Sequence, residues 1–246
     1  MTRYKLTVEY DGTPFVGWQW QRLGTSVQQV LQEAAQKFCG PAAEIYGAGR
    51  TDAGVHALGQ CAHLDIDKET TPDVVRDAIN FHCKPWPVSV LAAEIVPDDF
   101  HARFSATGRR YRYRIINRMA PLTVDLHRAW RVKRPLDDRA MHQAAQLLVG
   151  HHDFSGFRSS MCQAKSPLRT LERLDVMRQG EEIVIEADAR SFLHNQVRIM
   201  VGTLKRLGEG RFSEQRISAA LASGKREEAG PTAPPDGLYL TEVIYP

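Results

Sequence analysis

Cysteine is scarce and scattered. The four residues Cys39, Cys61, Cys83 and Cys162 form no C-x-x-C pair, so the pattern reads as reduced thiols packed as small hydrophobes, not as a disulfide framework or a zinc site. The nine histidines offer no metal ligands in helical register either, because His151 and His152 are adjacent. No apolar run approaches the length of a membrane span, and "MTRYKLTVEY" has no apolar core before small residues, as a secretory leader would. These lacks make a cytoplasmic protein without a metal site or membrane span the expectation. Acidic clusters of the kind a two-metal nuclease uses are missing as well.

Charge is almost balanced overall, 32 basic against 29 acidic residues, but it is not evenly spread. "RFSATGRRYRYRIINR", Arg103 to Arg118, holds six arginines and no acid, interleaved with Phe104, Tyr111 and Tyr113. Arginine with aromatics suits phosphates and unstacked bases, whereas the bland reading is a solvated strand face. Strict alternation along this strand puts Arg110, Arg112 and Arg114 opposite Tyr111. Those arginines then bind RNA at an edge or pair with acids elsewhere; Arg109 and Arg110 are the weakly assigned RNA contacts.

Periodicity predicts a mixed chain. Alternation marks residues 3–10 as a strand. Ser26, with Gln29 three residues on, has capping-box form ahead of a helix that Gly40-Pro41 ends. A short strand near 44–48, a strand over 59–66, a helix from Pro72 through Phe81 and a strand over 88–96 complete a β-α-β-β-α-β order, the split βαβ arrangement. A similar order follows: strand 109–116, helix 139–149, strands near 171–177 and 182–189, a helix over 193–207, a short one near 213–222, and a strand in "GLYLTEVIY". The boundary is expected near 100–108, with no low-complexity linker.

Between strands lies "GAGRTDAGVHALGQ", with one carboxylate, Asp52, among glycines. A turn aspartate often does no more than bond its own backbone. One carboxylate also falls short of the pair that a glycosidase needs, unless Asp65 or Asp67 supplies the second.

"GRTDAGVHA" resembles the catalytic motif of the pseudouridine synthases, and the chain resembles the tRNA pseudouridine synthase A family nearly end to end. The likeness includes Tyr10-Asp11-Gly12 with Gly17-Trp18-Gln19, "VPDDFHARFSATGRRYRYRI", "HHDFSGFR", "FLHNQVRIMVGTL" and "GLYL". The resemblance implies isomerisation of uridine within tRNA, at positions 38, 39 and 40 of the anticodon stem-loop, by a homodimer and without a cofactor. It implies that Asp52 is the nucleophile and that Arg50 helps displace the base. Tyr111 then stacks on the flipped uracil, Arg198 pairs with the aspartate, and Leu193 lines the uracil pocket.

The expected fold is α+β: two ferredoxin-like halves, 1–105 carrying the aspartate and 106–246 completing the site. They share an extended antiparallel sheet, with helices on one face and a basic RNA-binding cleft on the other. His56 is expected to be a structural turn residue. Variation that tunes tRNA choice is expected at "HNQ" and in "RSSMCQAKSP". Two rivals remain: a non-catalytic RNA-binding module, and a metal-independent nucleosidase that would release free base.

Overall fold

The computed structural model describes all 246 residues. The chain forms two compact units, 1–107 together with 239–246, and 108–238. In chain order the elements are β1 (Thr2–Tyr10), α1 (Val27–Cys39), β2 (Tyr46–Gly47), β3 (His56–Ile66), α2 (Pro72–Cys83) and β4 (Val88–Ile95). The second unit contributes β5 (Gly108–Asn117), β6 (Trp130–Val132), α3 (Asp138–Gln146), β7 (Gly150–Asp153), β8 (Leu168–Gln179), β9 (Glu182–Ala189), α4 (Gln196–Gly208) and α5 (Glu214–Ser223). β10 (Leu238–Ile244) is last. The fold is mixed α/β, with mostly antiparallel strands and five α-helices.

In the first unit β1 is central, antiparallel to β4 on one side and to β3 on the other. β3 is long enough to carry two short partners along its far edge. β10 lies parallel to it at His56 and Ala57, and β2 antiparallel at Ala62 and His63. Leu6 and Val8 of β1 are buried with Leu64 and Ile66 of β3 and Val90 of β4, a core to which α1 adds Val30, Leu31 and Ala34 and α2 adds Val75 and Ile79. α1 begins as its sequence demands: the Ser26 hydroxyl accepts from the Gln29 N–H at 3.2 Å. Only that half of the capping box forms, because the Gln29 amide turns to Glu33 instead.

In the second unit β9 lies between β5 and β8, β7 pairs with the far side of β8, and β6 runs parallel to the end of β5. Tyr113 and Ile115 of β5 point into a core with Leu174, Ile185, Met141 and Met200. α4 begins at Gln196, later than periodicity alone suggests, because Asn195 takes a left-handed conformation at φ 63° that a helix interior excludes. No helix is long and apolar enough to cross a membrane.

Candidate active site

Asp52 lies in the connection between β2 and β3. Its carbonyl accepts from the Val55 N–H at 3.1 Å, and Gly54 has φ 76°, as the third residue of a type II turn requires. The turn is held from outside by the segment after β1. Trp18 N–H donates to the Thr51 carbonyl at 3.1 Å, and the ring of Trp18 covers Gly47. Gly17, at φ 111°, approaches so closely that a Cβ would lie 2.7 Å from the Thr51 oxygen. A Cβ at Gly12 would overlap the Val55 carbonyl. Both glycines are therefore conditions for this contact between two loops.

Polar groups beneath the turn fix it further. The Tyr10 hydroxyl and Thr51 Oγ1 are 2.8 Å apart and buried. The Gln60 amide, also buried, donates to the Gly49 carbonyl at 3.2 Å. Burial pushes the Tyr10 phenol up to about 12, so it stays protonated as a hydrogen-bonding strut. His56 is buried, receives the Gly12 N–H on Nδ1 at 3.0 Å and stacks on Tyr239 at 4.7 Å between ring centroids. It is a structural residue, as its sequence context suggests. Sequence reasoning assigns no supporting role to Thr51, Gln60 or Gly12; Thr51 and Gly12 figure there only within the motifs that carry the resemblance, and Gln60 only as a residue of the following strand.

Arg50 is exposed, with Nε donating to the Gln19 side chain at 3.1 Å. Asp65, the possible second acid, is held in the fork of Arg3 through two bonds of 2.7 Å. That hydrogen bonding keeps its carboxyl below the usual range, the opposite of what a general acid needs. Asp67 lies at the surface, 3.8 Å from the N-terminal amine.

In the second unit Tyr111 is half-buried on β5 and meets Phe192 edge-on at 5.2 Å. Leu193, the next residue, is buried. Arg198 stands on the first turn of α4. Its Nε donates to the Ala233 carbonyl at 2.7 Å and an Nη to Asn195 Oδ1 at 2.9 Å, so the guanidinium is oriented by two fixed oxygens. The room beside Gly202 is filled by the chain at Pro231, whose carbonyl a Cβ there would strike.

The arginines opposite Tyr111 meet acids. Arg110 pairs with Asp188 at 3.2 Å and Arg112 with Glu186 at 2.9 Å, each directly across the β5–β9 ladder. Arg114 reaches Glu182 and Asp125. Burial works against charge on Glu186, yet Arg112 and Arg173 hold its carboxyl below the ordinary range. The acid-free block in sequence is thus balanced by a neighbouring strand. Arg109 donates to the Arg190 carbonyl at 2.8 Å.

A family model described as tRNA pseudouridine synthase matches residues 6–105 and 144–246, most of the chain and both units. The chain belongs to the tRNA pseudouridine synthase family. Its relatives are close. It is 59% identical over 245 residues to the tRNA pseudouridine synthase A of Parvibaculum lavamentivorans, covering all of both chains. It is 60% identical to that of Paramagnetospirillum magneticum, covering all of this chain and 96% of the other. A Rhodopseudomonas palustris (strain BisA53) protein of the same name is 59% identical over the full length of both. Membership in the pseudouridine synthase family places the chain among RNA-modifying isomerases.

Proposed function

We propose that this chain isomerises uridine to pseudouridine at positions 38, 39 and 40 of the tRNA anticodon stem-loop, with Asp52 as the nucleophile. The observation that carries the reading is the support of Asp52: a single carboxylate on a turn fixed by Gly12, Gly17, Trp18, Thr51 and Gln60, in a family whose reaction needs one such group. A turn serving only to reverse the chain needs no such scaffold, whereas a reacting group must be held close to its productive geometry.

The reaction conserves atoms and electrons. The C1′–N1 bond breaks, the uracil turns over, C5 bonds to C1′, C5 loses its proton and N1 gains one. The target base must first leave the stack. In this reading Arg50, exposed at the turn, helps displace it, Tyr111 stacks on it and Leu193 lines its pocket. Arg198 is the cation that favours the ionised carboxylate. The RNA is gripped by a homodimer in the cytoplasm, with no cofactor. The held Asp65 disfavours the nucleosidase alternative, which requires a second acid free to protonate.

The test uses tRNA transcript labelled with tritium at uracil C5, with wild-type and Asp52→Asn protein. Tritium is expected in water from the wild type only, with tRNA affinity retained in the variant. Comparable release by Asp52→Asn would remove the aspartate from its role. Mapping the altered nucleotides tests the three positions, and sedimentation equilibrium tests for twice the 27.7 kDa chain mass.

A further inference from the structure

Many guanidiniums in the second unit meet a carboxylate, Arg110, Arg112, Arg114, Arg173, Arg178 and Arg216 among them. Arg158 and Arg226 do not. Arg158 follows the 3₁₀ turn Ser155–Phe157, is half-buried, and makes no hydrogen bond or ion pair within the chain. Arg226 donates only to neutral oxygens, the Gly230 carbonyl at 2.8 Å and Thr232 Oγ1 at 3.3 Å. Both line one cavity of about 190 Å³, together with Ser155, Ser159, Ser160 and Cys162. No carboxylate lines it. Burial alone pulls Arg226 below its ordinary range, so its charge is held at a cost.

The frame of this cavity is preformed. Asp153 accepts the Ser155 N–H at 2.7 Å, and Gly156 packs against the carbonyls of Ala220 and Lys225. Ser159 N–H donates to the His194 carbonyl at 3.0 Å, while its hydroxyl oxygen accepts from Met161 N–H at 3.2 Å. That leaves the Ser159 O–H as a donor. Two partly desolvated guanidiniums without a counter-charge, ringed by hydroxyls, form a lining of donors with no anionic acceptor. Planar guanidinium forks fit the paired oxygens of a phosphate.

We propose that this cavity binds one phosphodiester of the tRNA backbone, with Arg158 and Arg226 as the charged contacts and the serine hydroxyls completing the shell. The inference rests on the tRNA reading above. It gives the loop "RSSMCQAKSP" a role in placing the RNA. A backbone contact carries no base information, so it sets the register of the bound strand. Substitutions there would shift which tRNAs fit without touching chemistry.

The experiment measures tRNA affinity across a salt series, and tritium release, for wild type, Arg158→Ala, Arg158→Lys and Ser160→Glu. Loss of one phosphate contact should weaken Arg158→Ala binding about five- to tenfold near 0.1 M salt. It should also flatten the slope of log affinity against log salt by roughly 0.7–0.9. KM should rise with kcat nearly unchanged, and lysine should restore part of the affinity. Ser160→Glu, at the exposed rim, should weaken binding in the same direction without removing any folded contact.

Unchanged affinity and slope in both Arg158→Ala and Ser160→Glu would overturn the proposal. A fall in kcat at constant KM would overturn it equally. If inorganic phosphate raises the wild-type melting temperature but not that of Arg158→Ala, while tRNA slopes coincide, the cavity takes a free anion and the RNA assignment falls. Salt-dependent tRNA binding that Arg158→Ala weakens, with no tritium release by wild type, would sink the isomerase reading and leave the phosphate site standing.

Discussion

Gly12 shows how much of the turn carrying Asp52 is built by residues far from it in sequence. It has no side chain to contribute, yet the Val55 carbonyl fills the place where one would go. In Gly12→Ala one of the two loops must move, and the turn carrying Asp52 is in direct contact with the added methyl group. A displacement near 1 Å at a reacting group lowers turnover about a hundredfold. We expect Gly12→Ala to lower kcat by about that factor while tRNA affinity stays within about threefold, measured by tritium release and filter binding; unchanged kcat would show that the turn tolerates the shift. At this scale the sequence names Asp52, Gly12, Gly17 and Trp18 through the motifs of the resemblance but does not say that the last three hold the turn of the first. Glycine in "YDG" reads simply as a turn, because the carbonyl it makes room for lies 43 residues away. The same limit applied to Arg110 and Arg112. The arginine run leaves RNA contact and pairing with distant acids both open, and it is β9 that brings Asp188 and Glu186 opposite.

Among the elements, β3 carries the most varied duties, and His63 near its end titrates well below its ordinary range. Its Nδ1 accepts the Ala102 N–H at 3.2 Å, so the ring is neutral there. Tyr46 of β2 stacks on it at 5.1 Å and His101 stands against its edge at 4.7 Å. Burial, then the nearby His101 and Arg3, lowers its pKa to about 4 from an ordinary 6.5. The unfolded chain therefore takes up this proton first as pH falls. Stability contributed by the neutral ring is complete above about 6.5 and is lost as pH drops from there through 4. Urea midpoints should fall between pH 7 and pH 5, and His63→Gln should show a smaller fall over the same interval; equal falls would assign the loss to other groups. Elements were the scale most legible in advance. α1, with Ser26 at its start and Gly40 after its end, lies within a residue of where capping rules place it. Periodicity does not mark β6 and β7, because three and four residues are too few for alternation to register.

For the molecule as a whole, the decisive event is the return of the chain. After 131 residues in the second unit, Gly108–Leu238, residues 239–246 rejoin the first. β10 then lies along β3 at His56 and Ala57, Tyr239 stacks on His56, and the Tyr245 hydroxyl donates to the Ala102 carbonyl at 2.6 Å. Alternation marks this segment as a strand but carries no address for its partner; parallel pairing across so long an interval is a property of the assembled core. A chain stopped after Leu238 should release no tritium and should exchange the β3 amides around His56 markedly faster than wild type. Normal protection of those amides would show that β10 is dispensable to the first unit.

This return has a consequence during synthesis. A ribosome delivers residues 239–246 only after every residue of the second unit. Until then His56, four residues beyond Asp52, lacks the tyrosine against which it packs. The aspartate turn is translated early and finished last. Prematurely terminated products thus carry Asp52 without the completed mount of its turn, and the order of translation makes residues 239–246 the last part of that mount to arrive.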